Sequence, residues 1–236
     1  GSLYLENSEI DNIDLRLEYY FGFNQFFTAG IFSKEILNPI EETVNESGDL
    51  IITSYQNVPL AEINGFEIEY EQVFEAIMDS PNDLLVKFNY TETESEVIVN
   101  PGDTYINSIG TVVDAQSLLA NGRDTRLQGQ SDTIANFQIG LDNLQNQTQA
   151  TLIVNYVSDR VRARGIDVLP DIIEEPPLLV DFAFSKIYSY PEYELKLSLE
   201  LRNLLDEEYY ASMRNIAIYD QYDLGTSASL GFKISF

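Results

Sequence analysis

Residues 194–202 read ELKLSLELR: Leu195, Leu197, Leu199 and Leu201 alternate with Glu194, Lys196, Ser198, Glu200 and Arg202. In an extended chain successive side chains point to opposite faces, so this stretch is a strand with one wholly apolar face and one charged face. The same period of two runs through Ile13, Leu15, Leu17, Tyr19 and Phe21, which alternate with Asp14, Arg16, Glu18 and Tyr20. It returns at Phe66, Ile68 and Tyr70, interleaved with Glu67, Glu69 and Glu71. Comparable stretches predict about nine strands, at 13–21, 26–36, 61–74, 84–98, 133–142, 149–164, 178–188, 193–203 and 226–236. No stretch of similar length fits helical spacing better.

Composition removes whole classes of function. The 236 residues carry 13 Lys+Arg against 39 Asp+Glu, a net charge of −26, which is the wrong sign for gripping a nucleic-acid backbone. Without His, Cys or Trp there is no thiolate or imidazole zinc site, no Ser-His-Asp or Cys-His nucleophile and no disulfide framework. The chain is expected to be neither an enzyme nor a carrier of a metal or cofactor. Yet 44% of residues are hydrophobic, with 15 Tyr and 13 Phe, while mean hydropathy is only −0.15. No apolar run approaches the roughly eighteen residues of a membrane helix.

A soluble antiparallel sandwich produces the same alternation. Three observations favour strands that cross a membrane. Segments of about ten residues exceed the usual strand of about five or six, and match a tilted span of a hydrocarbon core. Connections alternate in length: short ones at Gly22–Gln25, around 79–83, at 143–147 and at 189–192, long ones at 37–60, 99–132, 165–177 and 204–225. Sorted loops of this kind mark the two rims of an outer-membrane barrel. Aromatic residues gather near strand ends, as in Tyr19-Tyr20-Phe21, Phe26-Phe27, Tyr70 with Phe74, Tyr156, Tyr188 with Tyr190, and Phe236. That fits interfacial girdles, although Tyr and Phe also favour strands in general. The acidic residues then fall on polar faces (Glu67, Glu69, Glu71, Asp142, Asp181) or in long loops (Glu41-Glu42, Asp171–Glu175, Asp206-Glu207-Glu208), where water solvates them.

The final strand carries Ser229 and Gly231 on one parity and Ile234 and a terminal Phe236 on the other. Such an ending is similar to the signal by which the barrel-assembly machinery recognises an outer-membrane protein, physically an edge strand open to strand addition. Several stretches carry a wider resemblance: NIDLRLEYYFG (12–22), VPLAEINGFEIEYEQVF (58–74), LQGQSDTIANFQIGLDN (127–143), ATLIVNYVSDRVRARG (150–165) and LELRNLLDEEYY (199–210). In order and spacing, with Gly65-Phe66-Glu67, Gln130-Ser131, Ala135-Asn136 and Asn203–Asp206 as local marks, the chain resembles the C-terminal half of a TonB-dependent outer-membrane receptor.

That resemblance implies an all-β fold: a transmembrane antiparallel β-barrel segment of about nine amphipathic strands, part of a larger barrel of about twenty-two. Residues 1–12 would be an extracellular loop remnant or a cloning scar, and 13–236 the barrel segment, with plug domain and N-terminal strands absent. Expected partners are the remaining strands and plug of the same receptor, the TonB complex through the missing N-terminal part, the barrel-assembly machinery and outer-membrane lipid, in the bacterial outer membrane. The function implied is active uptake of a siderophore or other scarce nutrient. A complete small barrel, porin or adhesin, and a soluble glycan-binding sandwich are the alternatives.

In such receptors extracellular loops help bind the solute, which makes Arg123, Arg126, Tyr209, Tyr210, Arg214 and Tyr219 candidate contacts, against plain loop packing. Arg160, Arg162 and Arg164 share the parity of Leu152, Val154 and Tyr156. In one unbroken strand Arg160 would stand about 13 Å beyond Tyr156. At that height arginine fits lipopolysaccharide phosphates, or simply a solvated strand extension.

Overall fold

The computed structural model describes residues 3–47, 50–77, 81–107, 109–166, 168–214 and 216–236. Gly1-Ser2 and the Asp79-Ser80 part of the second short turn lie outside these. The described residues form seventeen strands: β1 (Glu9–Gly22), β2 (Gln25–Leu37), β3 (Ile40–Ser47), β4 (Leu50–Asn57), β5 (Leu60–Phe74), β6 (Asn82–Ile98), β7 (Thr104–Ile106), β8 (Val112–Asp114), β9 (Thr133–Asn143), β10 (Thr148–Val157), β11 (Arg160–Gly165), β12 (Ile172–Glu175), β13 (Leu179–Ser189), β14 (Glu194–Arg202), β15 (Glu208–Met213), β16 (Ala217–Asp223) and β17 (Ser227–Ser235). A 3-10 helix covers Ala115–Gly122.

The nine predicted strands form one antiparallel sheet in the order β1-β2-β5-β6-β9-β10-β13-β14-β17. It is an up-and-down meander: every short turn lies on one rim, and all four long connections leave the other. The sheet is open, with β1 and β17 as its edges. The first strand starts at Glu9 rather than Ile13.

Register makes the two faces explicit. One row of directly paired residues runs Tyr19, Phe27, Tyr70, Phe88, Phe137, Val154, Val180. Another runs Leu84, Leu141, Ala150, Phe184, Leu199, Leu230. The opposite face carries Glu67, Thr91, Ile134 and Val157 in one row and Glu71, Lys87, Gln138 and Ile153 in another. Side chains opposite one another share a face, so the period of two in each strand adds up to a single apolar surface across all nine.

That apolar surface is bare. Leu15, Leu17, Ile31, Leu230 and Phe232 are each at least 59% exposed. A soluble sheet of this size covers such a face with a second layer; among the described residues no element covers it.

The rows also slide along the strands. The first row begins three residues from the Gly22 end of β1 and ends nine residues from the Ser189 end of β13, a drift of about one residue per strand. With about 3.3 Å per residue and about 4.8 Å between strands, the strands lean about 35° away from the normal to the line of short turns.

Beyond the other rim the long connections fold together. Their strands make a six-stranded sheet, β16-β15-β12-β11-β3-β4, and a small β7-β8 pair. Nearly all the fully buried apolar side chains are in this cap or at its seam with the large sheet. Val44, Ala163, Ile172 and Ala211 form one cluster, and Val58, Ala61, Val97, Tyr105, Ala115 and Leu118 another. Ala61 and Val97 share the polar-face parity of β5 and β6, so the cap closes over that face at the rim.

Where strands leave the large sheet, local chemistry explains the exit. The β2–β5 hairpin passes into β3–β4 at Asn38-Pro39 and Val58-Pro59. Proline lacks the N–H a ladder needs, and Asn38 takes φ 52°. The expected continuous strand 149–164 is broken at Ser158-Asp159, where the Ser158 N–H donates to Thr133 O at 2.9 Å and its carbonyl accepts from Ser131 Oγ. The β14 exit is turned by Asn203, φ 52°, whose Nδ2 donates to Glu207 O and Gly225 O and whose Oδ1 accepts from Glu207 N–H.

Candidate functional site: the cap

The cap is held by a knot of charges drawn from three of the long connections. Arg164 on β11 and Glu41 on β3 have no exposed side-chain surface. The guanidinium donates through Nε and Nη2 to the Glu41 carboxylate, the Nη2 bond being 2.9 Å. It also donates to Asp124 O at 2.7 Å and Arg126 O at 3.0 Å. Asp171, equally buried, accepts from the Gly165 and Asp124 N–H groups at 3.0 and 2.9 Å. Burial pushes the Arg164 guanidinium toward losing its proton, but the charges of Glu41, Asp171 and Asp124 outweigh it and hold the proton more firmly than usual. Gly165 is required beside the knot, because a Cβ there would meet Leu169 O at 2.2 Å.

These placements correct two expectations. Arg164 does not face outward; since β10 stops at Val157, the chain turns and strand parity no longer extends to it. Nor are Glu41 and Asp171 solvated loop acids: both are fully buried. Arg160 pairs with Glu174 at 3.1 Å. Arg162 lies over the ring of Tyr219 at 5.4 Å and near that of Tyr209 at 6.0 Å, and donates to the Tyr209 hydroxyl and to Asp220. Tyr209 in turn stacks on Tyr222 with centroids 4.6 Å apart.

The other candidates divide between structural and open positions. Arg123 is buried, donating to Ser117 O and Leu169 O, so it braces the cap interior instead of presenting itself to a solute. Tyr210 sits on β15 between Glu175 and Gln221 in register. Arg126 and Arg214 line one cleft of 660 Å³ together with Tyr156, Asp159, Ile173 and Glu175. Arg126 grips Asp124, Asp132 and Asp159 there, and Arg214 donates to Gly122 O. Asp124 is raised by burial but lowered further by hydrogen bonds from Arg126, so its carboxyl ends below the ordinary aspartate range. Burial, with the neighbouring carboxylates, leaves Asp132 above it despite Arg126.

On β17, Ser229 and Gly231 take the polar face opposite Glu200 and Ser198, while Ile234 pairs with Leu195. The Ser198 Oγ lies 2.5 Å from where a Gly231 Cβ would be. Phe236 is fully exposed, 6.5 Å from the Tyr193 ring.

The residues that assemble the cap, Glu41, Asp124, Gln128 and Asp171, carry no local signal of burial. Glu41 and Arg164 are 123 positions apart, and acids in polar loops ordinarily read as solvated. No protein-family model matches the chain, and no curated protein matches it.

Proposed function

We propose that this chain is a wall segment and outer cap of a TonB-dependent receptor in the bacterial outer membrane, taking part in the uptake of a scarce solute such as a siderophore. The observation that carries the reading is the bare apolar face spanning nine strands, set against a polar opposite face and a folded cap on one rim only. The dimensions agree. The nine residues of β14, at about 3.3 Å each and leaning about 35°, rise about 24 Å, close to the roughly 25 Å apolar band of outer-membrane barrels. A soluble sandwich needs a second sheet on that face. A small barrel closed by these strands alone would have to pair β1 with β17 in parallel, since both run the same way. More strands from the same receptor remove that difficulty. The cap and its cleft would then face the outside, where Arg126 and Arg214 meet the solute, and β17 would offer its free edge to the assembly machinery.

Cysteine scanning tests the membrane reading, because this chain contributes no cysteine of its own and any elsewhere in the gene product is first replaced by serine. In the native gene product in its host membrane, a water-soluble thiol reagent should label Ser198→Cys and not the adjacent Leu199→Cys. Ser54→Cys in the cap should be reachable from outside intact cells, and Gln145→Cys in a short turn only after permeabilisation. Equal labelling at 198 and 199 overturns the membrane reading. A reading frame upstream that encodes no plug domain overturns the receptor reading and leaves the barrel.

A further inference from the structure

The six-stranded cap sheet ends on two edge strands, β16 and β4, and they differ. An edge offers its outward N–H and C=O groups to any extended chain, and proteins blunt such edges with charges, prolines or bulges. The β16 edge is blunted: it carries Asp220 and Asp223, and its ladder with β15 breaks register at Ala211/Ser212. β4 has none of these devices. It reads LIITSYQN, without charge, proline or glycine, and its register with β3 is unbroken from Ser47↔Leu50 to Ile40↔Asn57.

Side chains sharpen the contrast. Leu50 is 69% exposed, and Ile51 and Ile52, on opposite faces of the strand, are 48% exposed each. A strand apolar on both faces has the pattern of one enclosed within a sheet rather than left at its margin. Among the described residues no strand pairs with the outer edge of β4.

The foot of β4 indicates the occupant. Asn57, its last residue, holds the chain that leads into β1: the Glu6 N–H donates to Asn57 Oδ1 at 2.8 Å, and Asn57 Nδ2 donates to Glu6 O at 3.0 Å. One side-chain amide thus engages both backbone groups of Glu6, as a neighbouring strand would. Ser8 Oγ adds a bond to Asn38 O at 2.8 Å. Direction agrees as well. Glu9, Leu37 and Leu60 stand in one row at the cap rim, so β4 on its way into β5 and the stretch on its way into β1 both run toward that rim.

We propose that in the complete receptor the free edge of β4 pairs with an extended segment of the same polypeptide just before Leu3, running parallel to β4 and adding a seventh strand to the cap sheet. The inference rests on the receptor reading, under which a long connection on the cap rim precedes β1. Main-chain hydrogen bonds supply the affinity, and Leu50 and Ile51 select apolar or β-branched side chains opposite them. Parallel pairing already occurs in this sheet, between β11 and β3.

The test uses the full-length gene product in its host membrane, with a photo-crosslinking residue introduced as Leu50→p-benzoylphenylalanine or, in a second variant, Ile51→p-benzoylphenylalanine. Both positions are exposed, so the probe displaces no core. Side chains on paired strands stand about 5 Å apart, within its reach. Peptide mass spectrometry should find the main product within a single chain, joining β4 to a peptide that precedes Leu3. In the wild-type protein, hydrogen exchange at the outward amides of 50–56 should be slowed at least about a hundredfold relative to unstructured chain. A main product with another polypeptide, with a second copy or with a different part of the receptor overturns the proposal. So does no product from either position, or free exchange at every second amide of β4. An upstream reading frame that encodes no plug domain removes the receptor reading itself, whereas a cross-link elsewhere in a chain that has one removes only this inference.

Discussion

Replacing Arg164 by methionine should unfasten the whole cap and leave the large sheet intact. Arg164 makes two hydrogen bonds to Glu41 and one each to the carbonyls of Asp124 and Arg126. Met fills much of the space and meets none of these. The Glu41 carboxylate, with no exposed surface, would keep only the Gln128 N–H at 3.1 Å. Losing one partner of a buried ion pair costs about 3–5 kcal/mol, because the remaining charge is stranded rather than because the pair was itself so favourable. A Glu41→Met, Arg164→Met double variant should therefore recover most of the loss. Since the arginine touches three of the long connections, protection should fall together at 40–57, 123–132 and 160–175. Strands β9, β13 and β14 should keep theirs. Hydrogen–deuterium exchange resolved by peptide reads both outcomes. A loss under about 1 kcal/mol, a loss confined to 160–175, or a double variant no better than Arg164→Met would refute the reasoning.

Three further outcomes follow from the geometry. On the proposed membrane reading, Leu199→Arg, in the middle of the apolar face, should destabilise the protein reconstituted in vesicles by about 2–4 kcal/mol in a denaturant titration, whereas Ser198→Arg one residue away should change it far less. Gly65→Ala puts a Cβ 2.5 Å from both Glu92 O and the Phe32 ring. It should cost about 1–3 kcal/mol by the same assay, with Phe32 displaced. Asp132 holds its proton above the ordinary aspartate value of 3.8, so folding gains from its protonation as pH falls toward that value. Asp124, held below 3.8, supports the fold above it and withdraws that support only as pH falls through its own lower value. The thermal midpoint of the cap should hold or rise from neutral pH to about pH 4 and drop beneath it, and Asp132→Asn should abolish the rise.

What the sequence determined by itself is the large sheet. Alternation is a local property: Leu195 to Leu201 declare their face without reference to any other strand, and nine such stretches, joined in turn by short turns and long connections, favour a meander. The short turns and long connections were legible for the same reason, being gaps between periodic runs. Asn203–Asp206 was visible as a motif, though only the fold shows why, with Asn203 in a left-handed conformation capping the chain's departure from β14.

Only the tertiary structure decided the cap. Its strands are short, six residues for β11 and four for β12. They find their partners far along the chain, as when Arg164 pairs with Thr43. Periodicity failed where the backbone stopped obeying it. Past Ser158 the parity that had put Tyr156 on the apolar face put Arg164 nowhere useful, because the chain had left the sheet. Charge misled for a related reason. An isolated acid in a loop belongs in water, and Glu41 and Asp171 are buried only because Arg164 and the backbone N–H groups of Gly165 and Asp124 converge on them from distant segments. Desolvating a carboxylate is favourable only once its partners are in place. That condition belongs to the assembled cap and cannot be read from any one stretch of it.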